Sequence, residues 1–99
     1  MPEVSFHPLA KQELIEASQY YDLENPGLGN AFLTEAERCV EAIVRHPGSG
    51  MAIHGAIRRL LIHRFPYGVL YTAQADEILV IAVMNLRRRP AYWSDRLNT

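Results

Sequence analysis

The side chains with chemistry to offer are four histidines, one cysteine, two pairs of glutamates and a run of arginines. His7, His46, His54 and His63 show no helical i, i+4 spacing and have no partner cysteines, so no metal site is expected. Glu13/Glu16 and Glu37/Glu41 fall on the polar faces of helical patterns, where such pairs read as solvated surface, with Glu41 supporting Arg45. Cys39 sits in an apolar stripe and reads as a small core residue rather than a reactive thiol. No serine occupies a nucleophile elbow, and no glycine-rich loop precedes a helix in the phosphate-binding pattern. These exclusions remove most enzyme classes, and no cofactor is expected.

What remains is a basic second half: Arg58-Arg59, His63-Arg64, Tyr71, then Arg87-Arg88-Arg89 followed by Tyr92-Trp93. Arginines interleaved with aromatics suit a phosphate backbone and unstacked bases. They suit equally a structural role, with arginine stems covering apolar sheet surface and Trp93 packed as an anchor. Residue types leave both readings open. The only lysine, Lys11, lies in the first half, and arginine binds phosphate but cannot act as a general base at ordinary pH.

The elements that must position these residues follow from period. Residues 4–7 form a short extended start, and Pro8 suits the first turn of a helix, where its missing N–H costs nothing. Ala10, Leu14, Ala17 and Tyr21 make one amphipathic stripe over residues 8–24. Asn25-Pro26-Gly27 breaks it, and Phe32, Ala36, Cys39 and Ile43 make a second over residues 28–46. After a Pro-Gly break at 47–50 come three strands, 57–65, 68–73 and 78–84, separated by turns at Pro66-Tyr67-Gly68 and Gln74-Ala75-Asp76. The last strand is apolar on both faces, which places it inside the sheet. Arg87-Arg88-Arg89-Pro90 stops it, and residues 91–97 suggest a short terminal helix. The expected class is α+β: a short strand, an antiparallel helix hairpin and a small antiparallel sheet, in the order β-α-α-β-β-β.

Ninety-nine residues, 48% hydrophobic and 21% charged, make a single globular domain, 1–99, rather than a disordered chain or a multidomain enzyme. A chain of this size buries only about two thirds of its unfolded surface, so a permanent partner would add stability. The first 50 residues carry three basic against eight acidic side chains, and the rest seven against three, so a net charge of −1 hides an acidic half and a basic half. One cysteine excludes a disulfide framework. No leader pattern opens the chain, and the longest apolar run is about a third of a membrane span. A cytoplasmic protein with no membrane partner is expected.

The runs Ala17-Ser18-Gln19-Tyr20-Tyr21, Pro26-Gly27-Leu28-Gly29 with Phe32, Ile57-Arg58-Arg59-Leu60-Leu61 through Phe65-Pro66-Tyr67, and Arg87-Arg88-Arg89-Pro90 with Tyr92-Trp93 resemble the RelE/ParE superfamily of toxins from type II toxin-antitoxin systems. The resemblance extends over nearly the whole chain and implies a cognate antitoxin whose disordered tail folds over the toxin. Such systems act in plasmid stabilization and growth inhibition. The superfamily holds two activities: RelE-like members cleave messenger RNA on the ribosome, and ParE-like members poison DNA gyrase.

Metal-free RNA cleavage needs a base, an acid and a cation. His63, Arg64, Tyr71, Arg88 and Tyr92 are the residues that would supply them in a nuclease, with Arg87 a further cation. The family often carries a histidine just before the final arginines; this sequence has Asn85, which cannot exchange a proton at neutral pH. The helix-hairpin signature and the Phe-Pro-Tyr turn look closer to the ParE branch. On that resemblance Arg58, Arg59, Arg64, Arg87, Arg88, Arg89, Tyr92 and Trp93 form the target-binding set, and an inactive module that only binds antitoxin is a third reading. A nuclease with a histidine acid or base would lose about two to four orders of magnitude of activity in His63→Ala. The gyrase reading expects that variant, expressed without antitoxin, to stop growth as the parent does.

Overall fold

The computed structural model describes residues 2–89 and 91–98. Pro90, expected to end the last strand, lies outside the described residues, as do Met1 and Thr99. The chain runs β1 (Glu3–Phe6), α1 (Pro8–Glu24), α2 (Leu28–Arg45), β2 (Met51–His54), β3 (Ile57–Leu61), β4 (Tyr67–Gln74), β5 (Glu77–Asn85) and a 3-10 turn (Ser94–Asn98). One five-stranded sheet has the order β1-β5-β4-β3-β2; β1 runs parallel to β5 and every other pair is antiparallel. The expected α+β class holds, with β2 added. That strand is short and mostly exposed, so it carries little of the alternation that marks a strand in sequence.

The helices form where the apolar stripes lie. His7 caps α1 by accepting the Leu9 N–H on its Nδ1 at 3.1 Å, and Pro8 occupies the first turn. Asp22 then ties the hairpin, accepting the N–H groups of Gly27 (3.1 Å) and Gly29 (2.9 Å) on one oxygen. Gly27 takes a left-handed φ of 93°, and at Gly29 a Cβ would strike the Ser18 carbonyl oxygen, so the two helices meet at this point only because a side chain is missing. Ala10 and Ala17 of α1 and Phe32, Ala36, Cys39 and Ile43 of α2 pack on Val69, Tyr71, Ile78, Val80 and Val83 of the sheet. Burial pushes the Cys39 thiol up to about 12, which keeps it protonated and inert near neutral pH.

The opposite face has its own core: Ile57, Leu70, Ile81, Ala82 and Met84 under Trp93 of the C-terminal segment. Strand β5 is therefore covered on both faces, as its uninterrupted apolar run implied. Its register against β4 slips at Ile81, since Leu70 pairs with Ala82 and Tyr71 with Val80. The bulge turns both Ile81 and Ala82 toward Trp93. Strand β3 stops at Leu61, four residues short of the expected end. Ile62 and Phe65 turn into the helix-side core, and Arg64 adopts φ 77°, so 62–66 is a turn and His63 and Arg64 belong to it.

The loop joining α2 to β2 is held by side chains from the sheet. The buried Tyr71 hydroxyl donates to the Pro47 carbonyl at 2.7 Å and accepts the Gly50 N–H at 3.0 Å. Arg58, its neighbour across the β3/β4 pair, donates to the Gly50 carbonyl at 2.7 Å and the Gly48 carbonyl at 3.3 Å. A Cβ at Gly50 would sit 2.7 Å from the Tyr71 oxygen. Tyr71→Phe leaves the buried Gly50 N–H and the partly buried Pro47 carbonyl without this partner, and its unfolding free energy in urea is expected to fall by about 1–3 kcal/mol. An unchanged urea curve would show that the loop holds without this hydroxyl.

Candidate functional site: an arginine-rich sheet end and a carboxylate clamp

The turn after β5 and the turn before β4 meet at one end of the sheet. Leu86 N–H donates to the Pro66 carbonyl at 2.9 Å, and Asn85 closes the β5 exit by accepting the Arg87 N–H on its side chain and the Arg88 N–H on its carbonyl, each at 2.9 Å. This brings His63 and Arg64 to the same end of the molecule as Arg87, Arg88 and Arg89, all exposed. The Arg64 guanidinium lies 5.4 Å from the Phe65 ring centre, and that of Arg88 lies 4.0 Å from the Tyr92 ring centre. Beside Arg87 is a cleft of about 410 Å³ lined by Tyr20, Tyr21, Pro66, Tyr67 and Asn85. Burial raises the Tyr21 pKa, with Tyr67 and Tyr20 adding to the shift and Arg87 opposing it.

Two other members of the expected set lie elsewhere. Arg58 is bonded to the loop before β2, and Arg59 lies across Gly68 on the Trp93 side of the sheet. The structure therefore gathers Arg64, Arg87, Arg88 and Arg89, ties Arg58 to a loop away from them and lays Arg59 on the Trp93 face of the sheet. Tyr71 is wholly buried on the helix side with its hydroxyl occupied, a geometry that does not present it to a substrate.

Glu13 requires a correction. Expected as solvated surface, it is the hub of a clamp on β5. Strand β1 pairs with β5 only as far as Val80, and beyond that point two side chains take over its edge. Val83 N–H donates to Glu13 Oε1 at 3.0 Å, and Arg96 Nη1 donates to the Ile81 carbonyl at 2.8 Å. Arg96 also grips the same carboxylate with both nitrogens, at 3.0 and 2.8 Å, and the Tyr92 hydroxyl donates to Oε2 at 2.8 Å. One carboxylate thus accepts four hydrogen bonds, two of them in a fork-to-fork pair, the strongest arrangement available to an arginine. Burial, then the Glu13 hydrogen bond and charge, push the Tyr92 pKa well above the tyrosine range. Tyr92 and the buried Trp93 are thereby fixed in place as a lid on the second core.

The signal for Glu13 was present in the sequence. Position 13 falls between Ala10, Leu14 and Ala17, on the buried side of α1, where an unpaired charge is not tolerated. Arg96 gave no comparable sign, because it lies in a short turn without period. The expected Glu41–Arg45 support does not form: the ion pairs among the described residues are Glu13–Arg96 and Glu35–Arg38.

Among the described residues, no group of three or more His, Cys, Asp or Glu could hold a metal ion, and no helix is long and apolar enough to cross a membrane. What the arrangement offers is a set of exposed cations beside tyrosines, on a turn whose backbone Asn85 holds.

The chromosomal ParDE TA system from P. aeruginosa is a solved structure with the same fold, at a TM-score of 0.74 and 17% identity, covering 86% of this chain and 96% of that one. Comparison with curated proteins finds no match. The family model for the ParE toxin of type II toxin-antitoxin system, parDE, matches residues 4–90, and the chain belongs to that family within the RelE/ParE superfamily.

Glu13→Gln removes the charge that balances Arg96, whose side chain is only 8% exposed. Breaking a buried pair from one side should lower stability by about 3 kcal/mol, and the fluorescence of the single tryptophan should shift to the red as the C-terminal segment loosens. A variant as stable as the parent, with unchanged emission, would deny the clamp its role.

Proposed function

We propose that this type II toxin stops growth by inhibiting DNA gyrase in the cytoplasm once a cognate antitoxin has been removed. The observation that carries the reading is the exposed Arg64/Arg87/Arg88/Arg89 end; the Tyr92 hydroxyl beside it is bonded to Glu13, and the Tyr71 hydroxyl is buried at the loop before β2. Cations without a positioned acid and base bind an acidic surface but do not cleave a phosphodiester. Arginine and tyrosine are also the residues that anchor protein interfaces.

A RelE-like, ribosome-dependent mRNA endonuclease is the second reading, favoured by one feature: exposed His63 shares the sheet end with these arginines. The antitoxin has a natural seat in the apolar cleft of about 390 Å³ between the helices and the sheet, lined by Phe6, Leu14, Leu33, Val40 and Val69 with Glu37 and Glu41 among its walls. Covering it would add the apolar burial that a domain of this size lacks.

Expression without antitoxin separates the readings. Loss of gyrase supercoiling by the purified toxin supports inhibition, translation arrest with cleaved mRNA supports the nuclease, and undisturbed growth indicates an inactive module. Arg87 and Arg89 side chains are exposed, so replacing both with alanine should change stability by about 0.5 kcal/mol or less. The double variant is expected to stay folded and bind antitoxin but lose most growth inhibition; full toxicity would remove these arginines from the target surface.

A further inference from the structure

The face of the sheet under Trp93 is not closed. Between the C-terminal segment and strands β2 and β3 lies a recess of about 530 Å³, lined by Ile53, His54, Arg59, Met84, Trp93 and Ser94. Arg59 enters it along an unusual path. Its stem runs over Gly68 on the neighbouring strand, so close that a Cβ there would be 3.0 Å from Arg59 Cγ and 3.1 Å from Cδ. The Nε that follows is buried and has no hydrogen-bond partner among the described residues, and neither of the ion pairs found there includes Arg59. A buried N–H without an acceptor bears its full desolvation cost, and native structures rarely keep one without a use.

We infer that this recess receives a carboxylate side chain of the antitoxin, toward which the Arg59 guanidinium turns its Nε edge out of the packed position that it holds in the free chain. The inference rests on the antitoxin reading above and names a contact within it. Nε and an adjacent Nη present the two parallel donors that fit a carboxylate. Ile53, Met84 and Trp93 supply apolar walls that keep water from the pair and accept the apolar neighbours of the acidic residue. A nucleic-acid strand suits the recess poorly, since it would need several phosphate partners in a row and the lining offers Arg59 and His54 alone. The recess lies on the face opposite the cleft between the helices, so an antitoxin that fills both must reach both sides of the sheet, as a segment that folds on binding can.

The test is a double-mutant cycle on the toxin-antitoxin complex, using the antitoxin encoded by the neighbouring gene. Arg59→Met keeps the stem across Gly68 and removes the fork, and Arg59→Lys keeps a charge without the bidentate edge. Titration calorimetry should find antitoxin binding weakened by about 30-fold or more in Arg59→Met and by less in Arg59→Lys. Both free variants should unfold at or above the parent's denaturant midpoint, because an unsatisfied donor is gone. Alanine substitution of the antitoxin's Asp and Glu residues in turn should find one whose loss weakens binding to the parent but not to Arg59→Met. The Arg59 Nε–H resonance should move downfield in the parent complex. Parent-like affinity in Arg59→Met, or no coupled acidic residue, overturns the inference and leaves the toxin reading intact. Failure of the parent to bind the antitoxin overturns both. Binding of a single-stranded oligonucleotide that is lost in Arg59→Met, without loss of antitoxin affinity, would give the recess to nucleic acid and also overturn it.

Discussion

The carboxylate of Glu13 ties the first helix, the edge of β5 and the C-terminal segment together at one point. It reaches from the first helix to the edge of β5, where the parallel strand β1 has already ended, and there it binds a backbone N–H, a tyrosine hydroxyl and an arginine fork. An edge left open on the most apolar strand would expose unpaired backbone polar groups beside a fully buried core. The clamp satisfies the Val83 N–H and the Ile81 carbonyl with side chains where a longer β1 would have used main chain. Because Arg96 and Tyr92 come from the C-terminal segment, the same bonds hold Trp93 over the second core.

This constraint divides the basic residues by function. Arg96 and Arg58 are committed to carboxylate or carbonyl oxygens within the fold, and their loss would be felt as instability. Arg64, Arg87 and Arg89 make no side-chain hydrogen bond or ion pair within the described chain and remain exposed. Arg88 is intermediate, lying over the ring of Tyr92 while its surroundings stay open to solvent. A run of three arginines in sequence is thus not one object in space, and the charge pattern by itself could not separate its members.

Elements with a strong period were legible. The α1 and α2 stripes, the two-sided burial of β5 and the burial of Cys39 follow from spacing, and the structure has each of them. Elements set by long-range contact were not. Strand β2 exists because β3 offers it an edge, and the loop before it is shaped by Tyr71 and Arg58, residues far along the chain. At the site, the exposed arginines were legible as a cluster from their adjacency. Tyr92 and Trp93 read as contact residues because aromatics after arginines suit an interface, whereas Tyr92 is bonded to Glu13 and Trp93 is 6% exposed. Charge on an apolar stripe is the signal that would have found the clamp, and reading Glu13 with Glu16 as a pair concealed it.

The separation of the clamp's ends has a consequence for synthesis. Glu13 and Arg96 are 83 residues apart, and β1 pairs with β5 across a similar stretch. While the ribosome is still making the chain, the helix hairpin can form from local contacts, but strand β5 has neither the clamp nor its lid until residues near 96 have left the exit tunnel. Contacts so distant in sequence form late and carry a high loop-closure cost. The second face of the sheet is therefore the last to be covered as the molecule is made, once the C-terminal segment arrives.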